Sequence, residues 1–274
     1  MVNKLFYINA FKKYLSFGIN IIVIVCKTIG KVIQYAFNLC ENAYKTMSPE
    51  TRKRFASAMM ILALLIAIIL ISATLYNITI TICCILMIFE ISKMLENIKK
   101  TNNNMFILLR KFVIIYLVIS TLSLIAIRSI YIQGTKITLW IFLTTWGTDC
   151  GAYIFGKKYG KLKLAPYISP KKTYEGAICG SIVGIFISIM MYNLFYTAQP
   201  SSFSFLSFVI ISIIITILAQ TGDLLESAIK RQCNVKDSGA IIPGHGGMFD
   251  RFDSILLVAL FVCIVIFFNG GIVF

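Results

Sequence analysis

This sequence has little charge: Asp, Glu, Lys and Arg together make up 14% of its 274 residues, well short of an ordinary soluble domain. Histidine occurs once, as His245, and all five aspartates (149, 223, 237, 250 and 253) fall after residue 148. The eight cysteines (26, 40, 83, 84, 150, 179, 233 and 263) show no CxxC spacing and mostly lie inside apolar runs, so they read as small core residues rather than metal ligands or disulfides. Internal repeats, low-complexity linkers and coiled-coil heptads are missing as well. These absences exclude a disordered chain, a collagen and a secreted disulfide scaffold.

What is there is apolar. Hydrophobic residues make up 58% of the chain and the mean hydropathy is +0.86, which identifies an integral membrane protein. A spanning helix takes ~20 largely apolar residues. Seven runs qualify as candidates: Phe55 to Leu75, Ile78 to Ile91, Phe112 to Ile127, Ile137 to Phe155, Ala177 to Thr197, Phe203 to Leu224 and Ser254 to Phe274. The fold class expected is therefore all-α: a polytopic membrane protein of about seven transmembrane helices.

The formal net charge is +15, and its placement matters more than its size. Basic residues gather at 52–54, at 93–111, from Lys157 to Lys172, and from Lys230 to Arg251. Neighbouring clusters are separated by two spans each, so all four fall on one side, expected to be cytoplasmic, facing anionic headgroups. Lipid, not nucleic acid, is the partner this basic balance implies. The connections on the other side, near Asn77, 128–136 and 198–202, are short and poor in charge. Residues 51–274 are expected to form the catalytic membrane domain. Residues 1–50 form an N-terminal extension whose run from Tyr14 to Cys26, flanked by lysines, suits an interfacial helix better than an extra span.

Acids at bilayer depth are costly and usually functional. If the run from Phe203 stays helical beyond the membrane surface, Asp223, Ser227, Lys230 and Arg231 share one face. A solvated helix end with Glu226 and Lys230 as an i,i+4 pair would explain the cations, but gives no reason for Asp223 at the apolar boundary. The stretch Pro243 to Gly247 has three glycines and a proline in five residues; it cannot be helix interior and suits an anion nest of backbone N–H groups. Asp250 and Asp253 follow at the start of the last apolar helix. Two carboxylates there could favour the helix dipole, yet they also suit Mg²⁺, which needs only one or two protein carboxylates beside substrate phosphates. Asp149, inside an apolar run, is expected to pair with a lysine or line the site. Lys171, Lys172 and Thr173 offer charges and a hydroxyl beside Gly176.

The run Ser-x-x-Lys-Arg from Ser227, then Lys236-Asp237, Pro-Gly-His-Gly-Gly and Asp-Arg-x-Asp ending at Asp253 resembles, without a gap, the signature of the phosphatidate cytidylyltransferases (CDP-diacylglycerol synthases). A second block is similar to the same family: Asp149-Cys-Gly-Ala-Tyr, Phe155-Gly-Lys-Lys-Tyr-Gly and Ser169-Pro-Lys-Lys-Thr-Tyr-Glu-Gly. The resemblance runs from about Arg52 to the C-terminus.

That resemblance implies transfer of CMP from CTP to phosphatidate, giving CDP-diacylglycerol and pyrophosphate, in a bacterial cell membrane with the site facing the cytoplasm. It implies a metal centre at Asp223, Asp250 and Asp253 holding Mg²⁺, with room for a second, monovalent cation. Ser227, Lys230, Arg231 and Arg251 would surround the phosphates, with Asp237 a further catalytic residue. Lys171, Lys172, Thr173, Gly246 and Gly247 would bind the nucleotide, and His245 would organise its loop or donate a hydrogen bond to a phosphate. A homodimer is compatible with this reading. The alternative is a CTP-dependent lipid kinase of the polyprenol or phytol type. A CDP-alcohol phosphotransferase would need an Asp-Gly-x-x-Ala-Arg motif that the sequence does not contain, and a transporter would place its charges near mid-membrane in paired repeats.

Overall fold

The structure, a computed structural model, describes residue 60 and residues 62–96, 104–130, 133–196, 204–239, 241 and 246–268. The chain divides into two units, Met1–Met60 and Ile61–Phe274, and the described helices belong to the second. The expected interfacial helix at 14–26, the basic cluster at 52–54, Pro243 and His245 lie outside the described residues.

Seven helices form among the described residues: α1 (Leu62–Ile71), α2 (Ala73–Glu96), α3 (Asn104–Ser129), α4 (Gly134–Tyr159), α5 (Tyr174–Tyr196), α6 (Phe205–Gln232) and α7 (Phe249–Phe268). Five of them, α2, α3, α5, α6 and α7, are long and apolar enough to cross a membrane. The other two sit where the sequence predicts spans but differ in kind. α1 is short within the described residues, and α4 carries Thr138, Thr144, Thr145 and Thr148 buried inside the bundle. These threonines face inward, which lowers the helix's apolarity without turning their hydroxyls to lipid.

One boundary differs from the sequence reading. Asn77 is no connection: it lies inside α2, its side-chain amide donating to Ser129 Oγ (3.4 Å), and the break falls at Ser72, whose hydroxyl accepts from Leu75 N. The last helix begins at Phe249, which puts Asp250 and Asp253 at its start, as expected, ahead of the apolar run from Ser254. The all-α expectation holds apart from a small antiparallel hairpin, β1 (Lys163–Ala165) with β2 (Ser169–Thr173), between α4 and α5.

The closest helix pair is α4 with α5, and glycine is the reason. A Cβ on Gly180 would lie 2.6 Å from Thr148 O and 2.8 Å from Ala152 Cβ, and one on Gly176 would lie 2.8 Å from Gly156 Cα. With Gly184 packed on Thr148, a Gly-x-x-x-Gly-x-x-x-Gly stripe on α5 lies against Thr148, Ala152 and Gly156 of α4. Lipid tails are as apolar as the helices themselves, so such close backbone contact supplies much of the association. Beside it, Trp140 Nε1 donates to Ser188 Oγ, which pairs with Ser212 Oγ, tying α4, α5 and α6 through buried polar groups.

Lys93 lies in the last turn of α2, Lys157 and Lys158 in that of α4, and Lys230 and Arg231 in that of α6. Glu175 and Asp250 occupy the first turns of α5 and α7. Each charge complements its helix dipole. Contacts from Glu90 to Met248, from Lys172 to Gln220 and from Arg231 to Ile168 gather these ends at one end of the bundle.

Candidate active site at one end of the bundle

α6 runs unbroken through Gln232, and its last three turns carry Asp223, Glu226, Ser227 and Lys230. Ser227 Oγ donates to Asp223 Oδ1 at 3.4 Å, one turn apart. Asp223, Glu226 and Asp253 bring one carboxylate oxygen each within 4.8 Å of one another. Glu226 is only 2% exposed, and its Oε1 has no hydrogen-bond partner among the described residues. Three carboxylates at this spacing repel one another, and Lys230 at Glu226 and Lys172 at Asp223 offset that only in part. A hard divalent cation with oxygen ligands fits the donor set.

Asp250 stands outside this triad. Its Oδ1 pairs with Lys230 Nζ at 2.7 Å, and its Oδ2 accepts from Gly247 N (2.8 Å) and Ser238 N (3.1 Å). Lys230 also meets Glu226 Oε2 at 2.6 Å. The i,i+4 pair is therefore present, but buried beside the cluster rather than solvated. Glu226, not Asp250, completes the three-carboxylate group; the sequence reading passed over it because a Glu four residues before a Lys is the commonest of surface patterns.

Asp149 lines the site: its Oδ2 accepts from Ser254 Oγ at 3.2 Å, and Ser254 in turn donates to Asp253 through its N–H at 2.7 Å. Next to the carboxylates opens a cavity of about 660 Å³, lined by Lys157, Lys163, Lys171, Lys172, Thr173, Gly176, Gln220, Asp149 and Asp223 among others. Four lysines against two aspartates give it an excess of positive charge, which suits a multiply charged anion. The hairpin holds Lys171 and Lys172 in place. Glu175 accepts from the N–H groups of Lys161 and Leu162 at its entry, and Arg231 donates to Ile168 O at its turn.

The remaining candidates are distributed less simply. Thr173 is buried, and its hydroxyl accepts from Gly176 N, capping α5. Arg231 spends its guanidinium on Ile168 O and Val235 O, tying two loops together. Asp237 and Arg251 are exposed. Gly246 has φ +83°, a conformation that favours glycine. Of the stretch expected to form an anion nest, Gly246 and Gly247 are described: Gly247 N–H donates to Asp250, and just beyond it the N–H groups of Met248 and Phe249 donate to Glu90. The cysteines described are all free. Burial pushes the Cys233 thiol up to about 11, which keeps it protonated at neutral pH.

This constellation of carboxylates beside a lysine-lined cavity has counterparts in known proteins. Over 126 residues the chain is 48% identical to the phosphatidate cytidylyltransferase of Staphylococcus haemolyticus, covering 46% of this chain and 47% of that one. Over 138 residues it is 42% identical to the Bacillus subtilis protein of the same name, covering 50% of each. The chain thus spans about half the length of the curated relatives it matches. The cytidylyltransferase family model matches residues 18–269, beginning upstream of Arg52, where the motif resemblance starts. That match takes in the helices and loops that build the site, and the chain belongs to the cytidylyltransferase family.

Proposed function

We propose that this protein is a phosphatidate cytidylyltransferase, transferring CMP from CTP to phosphatidate and releasing pyrophosphate. The observation that carries the reading is the junction of two chemistries at one end of the bundle: a cavity lined by four lysines and a carboxylate cluster that share Asp223 as a common wall. The named relatives support the same activity.

The attacking group in this reaction is a phosphate oxygen, already ionised at neutral pH, so alignment and charge neutralisation replace a general base. Lys157, Lys163, Lys171 and Lys172 would neutralise and orient the triphosphate. Asp223, Glu226 and Asp253 would hold Mg²⁺, with Asp149 beside them and room for a second, monovalent cation; bound there, it would supply charge stabilisation at the reacting phosphorus. Lys230 keeps Glu226 and Asp250 from repelling one another. Ser227, through Asp223, fixes a carboxylate rotamer. Asp237 belongs to the loop after α6, and Arg251 to the exposed rim. The substrates' lipid partner and the basic loops support a site facing the cytoplasm from a bacterial membrane, and a homodimer is compatible with the sequence.

The deciding assay gives the purified protein phosphatidate and CTP labelled at either the α or the γ phosphorus. Label from the α position enters lipid and pyrophosphate is released. Label entering a lipid alcohol from the γ position would establish the lipid-kinase alternative and overturn the proposal.

A further inference from the structure

One buried carboxylate has no place in the chemistry above. Glu90, in α2, is 3% exposed, surrounded along its own helix by the buried Met87, Ile91 and Met94. An acid in such an apolar run is costly unless its oxygens are well satisfied. They are: Oε1 accepts from Met248 N at 2.9 Å, and Oε2 from Phe249 N at 3.0 Å and Ser238 Oγ at 3.1 Å. Those two N–H groups open α7, and a helix start leaves its first N–H groups without intrahelical partners. Glu90 therefore caps α7 from a helix some 160 residues earlier in the chain.

Two glycines are shaped around it. A Cβ on Gly239 would lie 2.6 Å from Glu90 Oε1, and one on Gly247 would lie 2.6 Å from Glu90 Oε2. Asp250 takes the groups Glu90 leaves, Gly247 N and Ser238 N. Between them the two carboxylates satisfy the N–H groups of Gly247, Met248 and Phe249 and both polar groups of Ser238. Asp253 lies one turn further along α7, so the depth and rotation of that first turn set where its carboxylate meets Asp223 and Glu226.

We propose that Glu90 is a positioning residue: its carboxylate, delivered by α2, fixes the entry of α7 so that Asp253 completes the carboxylate cluster. This rests on the cytidylyltransferase reading for its catalytic consequence, but not for the clamp itself. Glu90→Gln keeps size while setting an NH₂ group against N–H and O–H donors.

The test uses the full chain in lipid nanodiscs, with hydrogen exchange as one readout and steady-state kinetics as the other. In Glu90→Gln, amides of Gly247 to Asp250 exchange about tenfold faster or more, as the loss of buried bonds to a charged acceptor requires. Those of α4 and α5 do not change. kcat falls about 100-fold, the scale of a small misplacement of reacting groups, while KM for CTP holds, because Glu90 does not line the lysine cavity. Wild-type kcat, a loss of activity without faster exchange at 247–250, or faster exchange throughout α4 and α5 would each overturn the proposal. If Glu90→Gln does not fold, Ser238→Ala, which removes one hydroxyl donor to Glu90, decides by the same readings in smaller measure. A wild-type chain that transfers no CMP sinks the function proposed above, while the exchange measurement still judges the clamp.

Discussion

Lys172 Nζ lies 2.7 Å from Asp223 Oδ2, and this ion pair joins the lysine-lined cavity to the carboxylate cluster. A second bond, from Lys172 Nζ to Gln220 O at 3.4 Å, docks the hairpin lysine on α6. The pair is partly open to solvent, so its worth lies in placing charges more than in stability.

Removing that lysine should act on nucleotide binding. Lys172→Ala is expected to raise KM for CTP about 10- to 100-fold, the value of a hydrogen bond to a charged group, with a smaller fall in kcat and no loss of folded protein. A CTP titration of the purified variant checks this. An unchanged KM would remove Lys172 from the nucleotide site.

Glu226→Gln should leave the protein inserted and folded but cut turnover about 100-fold, because an amide keeps the size and loses the charge a hard cation needs. Chelation should abolish wild-type activity and Mg²⁺ restore it. The variant should need more Mg²⁺ for half-maximal rate; near wild-type turnover at ordinary Mg²⁺ would take Glu226 out of the metal cluster.

Asp250→Asn should also lose turnover while inserting, by a different route. It weakens the Lys230 pair and the grip on Gly247 N, so about 1–3 kcal/mol of stability should go with it. Thermal unfolding beside activity reads both. If the rate stays near wild type, the contacts of Asp250 serve the fold and not turnover.

Gly180→Leu should drive α4 and α5 apart. The overpacking cost of about 1–3 kcal/mol should appear as a lower unfolding temperature in detergent, with Ile178→Leu on the lipid-exposed face of α5 as a control that leaves it unchanged. Equal stability of the two variants would show that the glycine stripe does not set the packing.

Arg231 donates to Ile168 O, so the loops on either side of α5 and α6 meet at one end. Single cysteines at Lys158, Lys171 and Asp237, in a cysteine-free background, should therefore label together from the cytoplasmic side. Labelling of any one from the opposite side would break the proposed topology.

Much of this was legible in the sequence because it depends on local pattern. Run lengths and hydropathy determine that the chain is a bundle of membrane-crossing helices, and the clustering of its aspartates among lysines and glycines marks one end as polar. The continuation of α6 past Leu224 follows from helical spacing, since Asp223, Ser227 and Lys230 share a face. Glu90 was legible in principle: it is a lone acid in the run from Ile78 to Ile91, the signal that singled out Asp149.

What sequence spacing does not contain is which carboxylate meets which partner. Asp250 and Asp253 are three residues apart on one helix, yet one is taken by Lys230 and the loop N–H groups and the other by the cluster. That division is made by α2, whose Glu90 caps α7, and by α6, whose Lys230 reaches Asp250. Buried polar groups must find partners wherever the bundle offers them, and the pairs that tie α7 to other helices, Lys230 with Asp250 and Glu90 with Phe249, are 20 and 159 residues apart along the chain. Local pattern thus determined the membrane bundle and the end that carries its chemistry, while packing between distant helices decided which acids gather in the cluster and which are taken up by the entry of α7.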